Sequence, residues 1–150
     1  KNGGVIQLCI LSDYIKKIAP NPDFLKALEA LDQKAKSLGG WEDLRGKPEA
    51  EALLKERGEL RTKFPTPKAT VRDAVDHIDH IVKLIGIDHV GIGTDFDGGG
   101  GLADCRDATE LPNITFELVR RGYSEKDIRK IWGENTLRVF EKAQKQGNKS

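Results

Sequence analysis

The stretch "HVGIGTDFDGGGG", residues 89–101, decides how this chain is read. Its first half has Val90 and Ile92 alternating with small residues, the pattern of a strand. It then breaks into two carboxylates, Asp95 and Asp97, followed by four glycines, Gly98 to Gly101. Asp-Gly is common turn chemistry and glycine reaches positive φ cheaply, so on residue type alone a plain loop accounts for the acids equally well. Position favours chemistry, because acids just past the carboxyl end of a buried parallel strand stand where α/β folds keep their sites. Two other readings fail on spacing. A dinucleotide fingerprint needs a third glycine where Phe96 stands. A calcium loop starting at Asp95 needs Glu at its twelfth position, where this sequence has Arg106.

The surrounding text supports that setting. "GGVIQLCIL", Gly3 to Leu11, is a nearly continuous apolar run expected to form a strand buried on both faces, and "SDYIKKIAPNP" breaks it. From Pro22 to about Arg61 the text turns helical. Phe24, Leu25, Leu28, Leu31 and Ala35 fall on one face of a first helix ended by Gly39-Gly40, and Pro48 opens a second, strongly charged one. "KFPTPKAT" is a proline-punctuated linker. Thr70 and Asp73 have capping-box spacing, and Val71, Ala74, Val75, Ile78, Ile81, Val82 and Ile85 recur at helical intervals up to Gly86. After the glycine loop come a helix from Pro112 to the stop at Gly122, one capped by Ser124, and one following Gly133. Strand, helices, strand, helices is the order of βα units on a parallel sheet. Two strands cannot make that sheet alone, so the expectation is either oligomerisation or partner strands on further polypeptide.

Composition narrows the class. The 150 residues suffice for one domain with a core, and 37% hydrophobic with 33% charged is an ordinary globular balance. A net charge of +1 gives no electrostatic reason to expect nucleic acid or an anionic membrane surface. No apolar run approaches the roughly 20 residues that span a bilayer. The sequence has no methionine and opens "KNGGVIQL" at the threshold of a strand, which reads as a piece of something longer and leaves the compartment open. Cys9 and Cys105 have no spacing that defines a disulfide framework or a zinc site. His77 and His80, one helical turn apart, could share a metal, but no third ligand is marked nearby, and capping or polar contacts are the default. His89 precedes the strand, at the end away from Asp95, and reads as structural. The triplet Asn113-Ile114-Thr115 is a glycosylation sequon of a kind that often arises by chance.

At this point the chain resembles a known family. "DHIDHIVKLIGIDHVGIGTDFDGG", followed by "LPNITFELVRRGYSEKDIRKIWGENTLRVFEKAQ", is similar to the C-terminal part of the membrane (renal) dipeptidases, the M19 zinc peptidases. The likeness is strong from Thr70 to Gln144 and weaker over Gly3 to Ile15. It implies a TIM-like (β/α)8 barrel, of which this chain would be the C-terminal portion: the last two strands and their helices, with a helical insertion over residues 16–68. It also implies hydrolysis of dipeptides at a centre of two zinc ions. Asp95 would match the family's catalytic aspartate, while Asp97 and Gly98 would shape the loop against the substrate. The family's metal-ligating histidines and acids and its substrate-binding arginine lie on earlier strands, and nothing here matches them. The expected metal ligands within this chain are therefore none. The remaining barrel, or another copy of the chain, would be the partner. The rival reading is a non-catalytic α/β assembly or binding module that keeps the motif only for folding.

Overall fold

A computed structural model describes residues 2–147, which divide into two compact units: the residues up to Lys17 together with those from Lys68 on, and Ile18–Pro67. In the first unit, strands β1 (Ile6–Cys9) and β2 (Val90–Gly93) form a two-stranded parallel sheet with Ile6 opposite Val90 and Cys9 opposite Gly93. Parallel strands cannot be joined by a tight turn. The covering helix between them is α4 (Val71–Ile85), whose capping box from Thr70 and Asp73 is complete. The Lys16 ammonium, 2.7 Å away, is the main reason the Asp73 carboxyl is held down at about 2, with the Thr70 hydrogen bonds adding to it. Val71, Ala74, Val75 and Ile78 of α4 are buried, one face at i, i+3, i+4 and i+7. The last turn departs from the expected apolar stripe, since Ile85 is exposed beside Leu84.

β1 is shorter than the run Gly3–Leu11, and it is not buried on both faces: Ile6 is 49% exposed and Gln7 is exposed too. Only one neighbouring strand covers it among the described residues. The expected break after the strand contains one helical turn, α1 (Ser12–Ile15).

Three further helices complete the unit. α5 (Pro112–Arg120) buries Ile114 and Leu118. α6 (Glu125–Arg129), capped by Ser124, runs through a π turn (Lys130–Glu134) into α7 (Asn135–Gly147). Gly133 was expected to separate two helices, yet the rod continues through it. Burial of Ile131 and Asn135 on either side outweighs glycine's weak helical preference. Asn135, 2% exposed, donates through Nδ2 to the carbonyls of Ile87 and Val90 at 2.7 and 2.9 Å. Arg138 donates to Gly3 O and Asp88 O, and His89 Nδ1 donates to Gly4 O at 2.7 Å. His89 is thus tied to the backbone ahead of β1.

The second unit is a helical pair, α2 (Pro22–Ser37) and α3 (Pro48–Lys63), each with proline in its first turn. Leu31, Ala35, Leu44, Ala50 and Leu53 form its core, with Trp41 packed against them and donating to Asp32 Oδ1 at 3.0 Å. Leu25, expected on the inner face of α2, is exposed.

One ionic hub pins α5 to α4. Arg121, its side chain 14% exposed, reaches Asp76 and Asp79 on α4 and Glu117 on its own helix, at 2.5 to 2.7 Å. The Tyr123 hydroxyl donates to Asp79 Oδ1 at 2.6 Å, and burial followed by that carboxylate pushes the phenol up. Arg120 foremost, and Arg121 after it, hold the Glu117 carboxyl at about 2, below its ordinary value of 4.5. A depressed carboxylate stabilises the fold above its unfolded pKa and loses that contribution as pH falls through the folded value. Stability should therefore decline between about pH 4.5 and 2, and Glu117→Gln should flatten that limb. Urea midpoints measured from pH 2 to 6 will check this.

Candidate functional site

The site grows from the carboxyl end of β2. Alternation along β1 places Gln7 and Cys9 on one face, with Leu8 and Ile10 on the other. On the first face β2 offers only Gly91 and Gly93. The Gln7 side chain lies across Gly91, where an added Cβ would stand 2.3 Å from Gln7 Oε1, and it donates to Thr136 Oγ1. The face therefore carries small groups toward the carboxyl end, and there the chain turns.

A strand continuing through Thr94 would leave Asp95 and Asp97 on the same side. This strand stops short of that. β2 ends at Gly93, and Asp95 has φ 55°, the one non-glycine residue with positive φ among those described. Asp tolerates this left-handed conformation better than most residues, because its short side chain bonds locally. The turn separates the two acids. Asp95 Oδ2 accepts a contact from Cys9 Sγ at 3.7 Å, whereas no hydrogen bond reaches the Asp97 carboxylate among the described residues. Both side chains are exposed, and Asp97 projects from the turn itself.

The four glycines answer to space as much as to φ. The Asp95 carbonyl accepts from Gly98 N at 3.1 Å and from Gly100 N at 2.6 Å, so the loop folds back over Asp95. An added Cβ at Gly98 would lie 2.2 Å from Asp95 Oδ1, and one at Gly100 would lie 2.0 Å from Thr94 O. Gly99 and Gly101 take φ values of 104° and 133°, which side chains disfavour. Gly101 N then donates to Ile10 O at 2.9 Å, and Leu11 bridges Gly101 in parallel fashion, returning the loop to β1.

The chain after the loop is anchored on α4. Ala103 N donates to Ala69 O, and the Asp104 carboxylate accepts from Val71 N at 2.7 Å in the first turn of that helix. Asn113 of the sequon donates to Asp104 O. Buried Ser12 accepts from Ala69 N at 2.8 Å, so β1, α4 and the loop share one set of backbone contacts. Cys105 is buried. Its burial, and then the nearby Glu110, Asp104 and Asp107, push the thiol up, which makes it an unreactive packing group.

The histidines stand apart from this loop. The His77 ring meets Ile15 O at 2.7 Å, a polar contact that packs α1 on α4, and His80 is exposed. Among the described residues no group of three or more His, Cys, Asp or Glu side chains could hold a metal ion. Cys9 and Asp95 offer two donors where a catalytic zinc needs about three, so the described residues do not fit a zinc centre by themselves. Cys9 is the residue of this site that sequence reading passed over. Its signal was the alternation that puts Gln7 and Cys9 on one face, read against an acid just beyond the partner strand.

The fold and loop define a class of site: a carboxylate at the carboxyl end of a parallel strand, set in a tightly packed glycine loop. Comparison then identifies the lineage. The model of the membrane dipeptidases, peptidase family M19, matches residues 1–150, and the chain belongs to that family. Dipeptidase tcpJ of Claviceps purpurea is 40% identical over 74 residues, which cover 49% of this chain and 17% of that protein. Dipeptidase ataJ of Aspergillus terreus is 49% identical over 71 residues, covering 47% of this chain and 17% of the relative. The crystal structure of the probable dipeptidase PvdM from Pseudomonas aeruginosa superposes with a TM-score of 0.66 at 36% identity, covering 95% of this chain and 38% of that one. The aligned parts thus span under a fifth of these two fungal relatives and well under half of the structural one.

The loop's packing makes a direct expectation. Gly100→Ala must displace the backbone at Thr94 and should destabilise the protein by about 2–3 kcal/mol, as overpacking against a fixed wall does. Gly133 has nothing within 4 Å of an added Cβ, and Gly133→Ala should be neutral or raise stability slightly. Thermal melting of the two variants side by side checks the contrast.

Proposed function

We propose that the whole protein is a metal-dependent dipeptidase and that this chain supplies its catalytic aspartate, Asp95. Membership of the dipeptidase family supports the hydrolysis of dipeptides. The observation that carries the residue assignment is the placement of Asp95: past the carboxyl end of β2, on a fixed turn, with its carboxylate facing Cys9 rather than solvent alone. In the barrel reading β1 and β2 are the seventh and eighth strands of a TIM-like (β/α)8 fold, and residues 16–68 are an insertion between them. The two zinc ions would rest on residues outside this chain and would supply an activated water and a polarised peptide carbonyl. The remaining barrel, or another copy of the chain, completes the site.

Within that frame Asp95 has one task. It takes a proton as water adds to the peptide carbonyl, and it delivers that proton to the amine nitrogen as the C–N bond breaks, leaving two amino acids. Asp97 and Gly98 belong to the loop that shapes the substrate side, Gly98 by leaving room for the Asp95 carboxylate. The non-catalytic alternative, a binding module that retains the motif for folding, predicts instead that removal of the Asp95 charge changes stability alone.

Asp95→Asn in the full-length protein is expected to lower kcat by about 10²- to 10⁴-fold, the usual worth of general acid–base catalysis, with zinc content intact. Asp97→Asn should act mainly on KM or stability. Steady-state dipeptide hydrolysis with metal analysis decides between them, and the reverse pattern would exchange the two roles. The 150-residue chain by itself is expected to show no hydrolysis and no stoichiometric zinc.

A further inference from the structure

We propose that Cys9 is a positioning residue for Asp95. The inference rests on the reading of Asp95 as the proton-transfer group and asks what holds its carboxylate in place. Two independent observations meet there. Cys9 Sγ lies 3.7 Å from Asp95 Oδ2, and the other oxygen, Oδ1, occupies the space where a side chain at Gly98 would begin, 2.2 Å from that Cβ position. The carboxylate therefore has the thiol on one side, while Gly98, lacking a side chain, leaves room for it on the other.

The register explains why the thiol can reach. Cys9 is paired with Gly93, two residues before Asp95, and Gly93 has no side chain to stand between them. β1 continues past Cys9 in contact with β2, Ile10 N donating to Gly93 O at 3.2 Å, so the strand that carries the thiol is fixed against the strand that ends at the acid. A thiol is a weak donor toward a neutral acceptor and a better one toward an ionised carboxylate. No other hydrogen bond reaches the Asp95 carboxylate among the described residues. With the thiol removed, the exposed side chain gains rotamers, and fewer of its conformations present an oxygen to the reacting atoms. Cys9 itself is assigned no contact with substrate. It acts through Asp95.

Three variants of the full-length enzyme test this: Cys9→Ser, which keeps a donor, and Cys9→Val and Cys9→Ala, which do not. Valine suits a strand and preserves the packing volume, so a purely structural role for Cys9 would be met by valine and not by serine. Thermal melting and zinc content are measured on each. The expected result is that Cys9→Val and Cys9→Ala lower kcat about tenfold with KM within about twofold, while Cys9→Ser recovers most of the loss. Full kcat in Cys9→Val with loss in Cys9→Ser would overturn the proposal, as would normal kcat in all three. Asp95→Asn is run in parallel. If it is inactive while Cys9→Val is normal, only the role of Cys9 fails. If Asp95→Asn itself is fully active, the reading beneath falls, and this proposal with it.

Discussion

Parallel pairing of β1 with β2 is the constraint on which the first unit depends. Two parallel strands need a long connection to bring the chain back to the same end, and the apolar stripe of α4 is what packs on them. Once Ile6 is opposite Val90 and Cys9 opposite Gly93, both strands deliver their carboxyl ends to one place. The candidate site follows from that delivery: Cys9 from one strand, Asp95 from just beyond the other. At the opposite end Asn135 and Arg138 bind the carbonyls of Ile87, Val90, Gly3 and Asp88, so the two ends of the sheet are separated by purpose. One end is closed by helix side chains and the other carries the loop.

The glycine run is more rigid than its composition suggests. Glycine is expected to bring freedom, yet a methyl group at Gly100 would meet the backbone of Thr94 and Asp95, and one at Gly98 would meet the Asp95 carboxylate. The Asp95 carbonyl is held by two amides of its own loop, and Gly101 is recaptured by Ile10. A left-handed aspartate costs conformational energy, and such strain persists where surrounding contacts over-determine it. The loop supplies those contacts. Small residues here buy proximity, and a carboxylate fixed by its surroundings is better suited to proton transfer than a freely rotating one.

Much of this was legible in the residues, and the failures have physical causes. The capping box at Thr70 and the cap at Ser124 were readable because they depend on neighbours within three residues. The strand ending in two acids was readable for the same local reason, and so was the helical face of α4. The bend at Asp95 was not, because an apolar alternation runs smoothly into Thr94 and only the return of Gly98 and Gly100 amides to the Asp95 carbonyl forces positive φ. Continuity through Gly133 was not legible either, since it rests on Asn135 reaching carbonyls some 45 residues away in sequence. Exposure of Ile6 and Ile85 reverses what their apolar character implies, because apolar character does not say whether another element covers a residue, and among the described residues β1 has one strand neighbour. The contact between Cys9 and Asp95 spans 86 residues and required the register.

The proposed catalysis depends on Asp95 meeting the scissile bond. The most direct measurement is a crystal structure of the full-length protein with a non-hydrolysable dipeptide analogue bound. Proton transfer by Asp95 requires its carboxylate oxygen within about 3.2 Å of the atom that replaces the leaving amine nitrogen, or one water away from it. An analogue seated with Asp97 at that atom, or bound at the amino ends of the strands beside His89 and Arg138, would contradict it.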